Sequence, residues 1–180
     1  KTMRRIEKIG SNGKRKGGVI WHTQGSGKSL TMVILAEMIA LNKKIKNPKI
    51  ILVTDRIDLN SQITETFQKC NIPVEEAATG KHLIELIKSP SDAVITTIIN
   101  KFKAAVNQEP EGFHSSEIFV LIDEGHRSQY KTFNVKMQKT FPNGCFIAFT
   151  GTPLMKSEKN TANKFGGIID EYTIKDAVED

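Results

Sequence analysis

Two short stretches of this sequence carry residue types and spacings that could do chemistry. The first is Thr23-Gln24-Gly25-Ser26-Gly27-Lys28-Ser29. Glycines let backbone N–H groups close around phosphate oxygens, and a helix starting directly after them adds partial positive charge. Lys28 is spaced to reach the outer phosphates of a nucleoside triphosphate, and the Ser29 hydroxyl to hold Mg²⁺. The complete pattern G-x-x-x-x-G-K-[ST] would place glycine where His22 stands, so the loop departs from it at one position. The second stretch is Asp123-Glu124, closing the apolar run Ile118 to Ile122. An aspartate there can hold Mg²⁺, and a neighbouring glutamate can polarise an attacking water for phosphoryl transfer. Small GTPases and nucleoside kinases do not usually carry that glutamate, whereas ATP-driven motors do.

These residues need a scaffold that brings strand ends together. Gly17 to Trp21 reads as a strand entering the glycine loop, and Leu30 to Leu41, apolar nearly all round, as a buried helix leaving it. Further strands are expected at Lys49 to Thr54, Ala93 to Ile99 (running on into a short helix), Ile118 to Ile122 and Cys145 to Phe149. Helices are expected over Arg56 to Cys70, Thr79 to Lys88 and Lys131 to Lys139, and a loop over Asn107 to Ser116. Strands apolar on both faces, alternating with helices, indicate a mainly parallel sheet covered on both sides. The fold class is therefore α/β, a three-layer sandwich with about six or seven strands, with the ligand at the carboxyl ends of the strands.

Length and composition fit one domain of ordinary globular balance, with 180 residues, 38% hydrophobic and 26% charged. No apolar run approaches the roughly 20 residues of a membrane span, and no signal-peptide core follows the charged N-terminus. Cys70 and Cys145 are too few and too far apart for a disulfide framework or zinc site, and reduced thiols fit the cytoplasm. His22, His82 and His114 have no partners at metal-ligand spacing. The net charge of +6 is compatible with a polyanionic partner. The runs Lys14-Arg15-Lys16 and Lys43-Lys44 with Lys46 and Lys49 read as solvated loop charge. Phe102 reads as core.

Further text then carries a resemblance. Asp123-Glu124-Gly125-His126 is similar to the D-E-x-H box of superfamily-two helicases, with glycine where alanine is usual. Thr150-Gly151-Thr152-Pro153 resembles their motif III, Val53-Thr54-Asp55-Arg56 motif Ia, and Thr96-Thr97-Ile98 motif Ib. The stretches Trp21 to Ser29, Thr54 to Leu59, Asp123 to Tyr130 and Phe149 to Leu154 resemble the motor domain of the restriction (R) subunit of type I restriction-modification enzymes, found in bacteria and archaea. The tail text from Asn160 to Asp180 resembles it too.

The resemblance implies a RecA-like P-loop NTPase domain using ATP and Mg²⁺. Thr23 to Ser29 would cradle the nucleotide, and Lys28, Asp123, Glu124 and His126 would act in hydrolysis, with Ser29 and Asp123 on the metal. Thr150, Gly151 and Thr152 would couple hydrolysis to movement, His126 linking to them. Arg56, Thr97 and Lys101 would contact the backbone of double-stranded DNA. The partners implied are methylation and specificity subunits, in the cytoplasm, with no membrane. Residues 1–16 would be the end of a preceding helix and a loop, 17–156 the first RecA-like domain, and 157–180 a tail leading toward a second motor domain. The family's nuclease signature, an acidic residue two before a lysine, occurs nowhere in these 180 residues, so the nuclease is expected elsewhere in a longer protein. Two rival readings remain open: another superfamily-two helicase or remodeller ATPase, and a nucleotide-gated interaction domain without turnover. Glu124 argues against the second, because a pure binder needs no such carboxylate.

Overall fold

The computed structural model describes residues 1–23, 27–123, 135–151 and 165–172. In chain order the elements are α1 (Thr2–Ile6), β1 (Gly18–His22), α2 (Lys28–Ala40), β2 (Lys49–Thr54), α3 (Ile57–Lys69), β3 (Val74–Glu76), α4 (Gly80–Lys88), β4 (Val94–Ile98), α5 (Ile99–Gln108), β5 (Ile118–Ile122), β6 (Cys145–Thr150) and β7 (Ile168–Tyr172). Residues 135–140 form a further short helix. The strands make one seven-stranded sheet in the order β3-β4-β2-β5-β6-β1-β7. Every neighbouring pair is parallel.

Alternation along the strands builds two cores. Ile51, Val53, Ile95, Val120 and Ile122 pack with Leu83, Phe102 and Val106 of α4 and α5 on one face. Ile50, Leu52, Phe119, Leu121 and Phe149 pack with Ile6, Met32, Ile39, Ile63 and Phe67 of α1, α2 and α3 on the other. This is the expected three-layer sandwich. Phe102 is core, as read, and stacks against Phe141 with ring centroids 5.8 Å apart.

Some features differ from the reading of the sequence. Helix α2 is not buried all round. It forms an outer layer, so Met32, Val33, Leu35, Ala36 and Ile39 face the sheet while Leu30, Ile34, Met38 and Leu41 remain exposed. The edge strands β3 and β7 were not foreseen; β7 pairs with β1 from Val19 to His22. Helix α5 runs to Gln108, into the stretch read as a loop. The run Lys14-Arg15-Lys16 is solvated only at its two lysines. The Arg15 side chain is 2% exposed, bound to both Glu117 carboxylate oxygens at 2.7 and 2.8 Å. It also donates to the carbonyls of Ile6, Glu7 and Ser116 at 2.8–3.1 Å. Arg5 donates to the carbonyls of Gly17 and Gly166, and Lys1 to Asp170 at 2.6 Å. Residues 1–16 are thereby tied to the starts of β1, β5 and β7.

Candidate phosphate site at the carboxyl edge of the sheet

In a parallel sheet all carboxyl ends lie along one edge, so the strand order sets the order of the residues at or just past the strand ends. From β4 to β1 that order is Thr97 with Lys101, then Arg56, Asp123, Thr150 with Gly151, and Thr23 with Gly27 to Ser29. Strands β5 and β1 flank β6, so two strand spacings, roughly 10 Å, separate Asp123 from the glycine loop. The long side chain of Lys28 crosses that gap, and its Nζ lies 3.6 Å from Asp123 Oδ1. Lys28 is the first residue of α2, and Gly27, the residue before it, has φ +73°. That left-handed conformation favours glycine. A Cβ there would meet no atom within 4 Å, so the backbone at Gly27 faces open space. The Gly27 carbonyl accepts from the Thr31 backbone N–H at 3.0 Å and from its hydroxyl at 3.2 Å, closing the first turn.

Asp123 is 2% exposed, and its backbone N–H still pairs with Val53 at 2.9 Å, one residue past β5. An almost fully buried carboxylate beside an ammonium group is well suited to hold a cation–phosphate pair in a low-dielectric site. Ser29, half-buried in the first turn of α2, adds a hydroxyl. Hydroxyl plus carboxylate is an oxygen-only donor set of the kind Mg²⁺ takes together with phosphate oxygens, so these residues fit the group. Among the described residues, no cluster of three His, Cys, Asp or Glu forms a metal site by itself.

Thr150 is buried at the end of β6, with Gly151 next to it. Gln24, Gly25, Ser26, Glu124, His126 and Thr152 lie outside the described residues. Arg56 is exposed at the N-cap of α3, and Lys101 pairs with the half-exposed Glu76 at 3.6 Å. Thr97 has no exposed surface, and its hydroxyl points back toward the Ile98 carbonyl. Its side chain therefore belongs to the sheet rather than to a surface that could meet a phosphate. His22, read only as lacking metal partners, sits at the entry to the glycine loop. Burial lowers its pKa, Asp170 of the neighbouring β7 opposes that shift and Lys28 adds to it. Only the strand pairing reveals this environment, because β7 was not legible.

The comparisons with known proteins agree with this geometry. The family model described as SWI2/SNF2 ATPase matches residues 1–180. The chain is 37% identical to the type I restriction enzyme HindI endonuclease subunit of Haemophilus influenzae, over 93% of this chain and 18% of that protein. It is 34% identical to the putative type I restriction enzyme MjaIXP endonuclease subunit of Methanocaldococcus jannaschii, over 91% of this chain and 16% of that protein. The chain thus spans under a fifth of the length of these relatives. Among solved structures it resembles a nuclease-deletion mutant of the type ISP restriction-modification enzyme LlaGI in complex with a DNA substrate mimic. There the TM-score is 0.67 at 18% identity, covering 92% of this chain and 18% of the other. It also resembles the Hef helicase domain of Pyrococcus furiosus, with a TM-score of 0.64 at 17% identity, covering 88% and 35%. At these identities the structural likeness shows the fold, which is that of a helicase RecA-like domain. The chain, an α/β domain with a lysine and a buried aspartate meeting at its carboxyl edge, belongs to the SWI2/SNF2 ATPase family.

Proposed function

We propose that this chain is the ATP-binding and hydrolysing motor domain of a type I restriction enzyme's endonuclease subunit. In the bacterial or archaeal cytoplasm it would draw duplex DNA past a complex that also holds methylation and specificity subunits. The observation that carries the reading is the 3.6 Å approach of Lys28 Nζ to Asp123 Oδ1 across two strands, at the N-terminus of α2. Thr23 to Ser29 would surround the phosphates with backbone N–H groups. Lys28 would turn from Asp123 to the β- and γ-phosphate oxygens and stabilise charge that grows on them during transfer. Ser29 and Asp123 would hold Mg²⁺, which would supply positive charge to offset that of the phosphates. Glu124 would take the proton of the attacking water, and His126 with Thr150, Gly151 and Thr152 would relay the state of the γ-phosphate. Arg56 and Lys101, on the same edge, are the proposed phosphate contacts to DNA; contacts of that kind carry no sequence information and suit movement along any duplex. A second motor domain elsewhere in the protein would supply arginines to the same phosphates.

The test uses the full-length polypeptide, with ATP turnover and displacement of a DNA triplex as readouts. Lys28→Ala should abolish both. Glu124→Gln should still bind ATP while turnover falls by roughly 10²–10⁴, the usual worth of a general base. Normal turnover by Lys28→Ala would overturn the site. Turnover stimulated by RNA and not by DNA would overturn the restriction reading.

A further inference from the structure

The carboxyl edge accounts for the motif residues, but the other edge of the sheet carries a feature that they do not explain. A cleft of about 850 Å³ opens between the N-terminal segment and residues 138–146, beside Gly17, Gly144 and Gly166, where β1, β6 and β7 begin. Strand β1 is five residues long, so this cleft lies roughly 16 Å from the glycine loop, across the sheet. Arg4, Lys8, Lys14 and Lys16 line it, together with the anchored Arg5 and Arg15, and no carboxylate does among the described residues. The first four are exposed and make no ion pair among the described residues.

Their placement is fixed in advance. Ile9 and Arg15 pair as an antiparallel bridge. The turn between them is closed by Gly10 N–H to Lys14 carbonyl at 2.8 Å and Gly13 N–H to Gly10 carbonyl at 2.9 Å. Arg15 then pins this hairpin through Glu117 and three carbonyls. Four like charges thus share one cleft on a braced backbone, and their mutual repulsion is relieved by a polyanion. The aromatic side chains at the cleft, Phe141, Phe146 and Phe165, are buried, so they offer no apolar anchor of the kind a protein partner would use. Exposed cations among neutral neighbours are what the lining offers, and cations are how a phosphodiester backbone is held without regard to sequence.

We infer that this cleft is a second binding site for the phosphate backbone of duplex DNA, on the edge of the sheet opposite the nucleotide. The inference rests on the reading above only in naming DNA as the polyanion; it does not require ATP.

The experiment measures binding of a fluorescent 30-base-pair duplex to the 180-residue chain without nucleotide, over a series of salt concentrations. Four phosphate contacts contribute about 3.6 to the slope of log K against log salt. The Arg4→Gln, Lys8→Gln, Lys14→Gln, Lys16→Gln variant should lose about that much. Arg56→Gln with Lys101→Gln should lose about 2 independently. Circular dichroism monitors folding; should the fourfold variant misfold, Lys8→Gln and Lys14→Gln singly should each lose about 0.9. An unchanged slope, or no binding by the unaltered chain, would overturn the inference. So would displacement of the duplex by poly-glutamate of matched charge at lower concentration, which would assign the cleft to an acidic protein segment. Binding of fluorescent ADP to the same samples reports on the nucleotide site separately and should be unaffected by the fourfold change.

Discussion

Replacing Arg15 by alanine should loosen the whole N-terminal segment. The guanidinium is 2% exposed, holds Glu117 through two bonds, donates to three carbonyls and lies 5.6 Å from the Phe119 ring centroid. Removing one partner of a buried pair costs about 3–5 kcal/mol, because the other charge is left uncompensated. Glu117 is 23% exposed and can regain water, which places the loss toward the lower end; among the described residues the carbonyls of Ile6 and Ser116 keep no comparable donor. Against a total stability of roughly 5–15 kcal/mol, such a loss is large. For a chain of this length it corresponds to a melting temperature lower by roughly 6–20 °C. Arg15→Lys should fall between the wild type and alanine, since a single ammonium cannot serve a carboxylate and three carbonyls in fixed directions. Thermal unfolding followed by circular dichroism reads both variants. A change below about 1 kcal/mol for Arg15→Ala would place the pair among surface contacts and refute the view that residues 1–16 are braced by it.

Gly80→Ala should destabilise by about 1–3 kcal/mol, the usual cost of overpacking. A Cβ there would stand 2.8 Å from the Ala104 Cβ and the Ala105 backbone nitrogen, where α4 meets α5; urea denaturation with an unchanged midpoint would refute it. Thr79→Ala should lose about 1 kcal/mol, because the Thr79 hydroxyl caps α4 by accepting from the His82 N–H at 3.1 Å; the same denaturation series checks it. His22 has its folded-state pKa lowered, chiefly by burial, so the unfolded chain binds more protons than the folded one as pH falls through about 6.5. Its contribution is therefore intact above that value and lost below it. The unfolding midpoint should drop from pH 8 to pH 5.5 by less in His22→Gln than in the wild type, and an equal drop would refute the assignment. Burial pushes the Cys145 thiol up to about 12, so Cys70, exposed, should take a thiol reagent at pH 7.5 while Cys145 does not; mass spectrometry after labelling decides.

Central elements were legible in the sequence because they are apolar on both faces: β2 and β5 have the expected bounds, Lys49 to Thr54 and Ile118 to Ile122. The edge strands were not. Val74–Glu76 is three residues long and only partly buried, and Ile168–Tyr172 mixes two isoleucines with Asp170 and Glu171, so neither shows a buried-strand run. Helix α2 is apolar on a face that the sandwich leaves outside, which periodicity cannot distinguish from a buried face. The glycine loop, Lys28 and Asp123 were readable because phosphate chemistry demands particular residue types beside a strand end. The buried state of Arg15 was not, because its partner Glu117 is distant in sequence and only the fold brings them together. Thr97 looked available for the same reason in reverse: its place near the carboxyl end of β4 was legible, its burial was not.

Whether Lys28 and Asp123 form a nucleotide site is decided by Mg²⁺-dependent binding of fluorescent ADP and ATP to the purified chain, alongside Lys28→Ala and Asp123→Asn. Lys28 and Asp123 meet at 3.6 Å where the phosphates should lie. Binding should weaken when Mg²⁺ is removed. Lys28→Ala should bind roughly 10–150-fold more weakly, the loss of one charge-assisted hydrogen bond of about 1.5–3 kcal/mol. Asp123→Asn should lose the Mg²⁺ dependence. Equal affinity in all three proteins, with and without Mg²⁺, would contradict it.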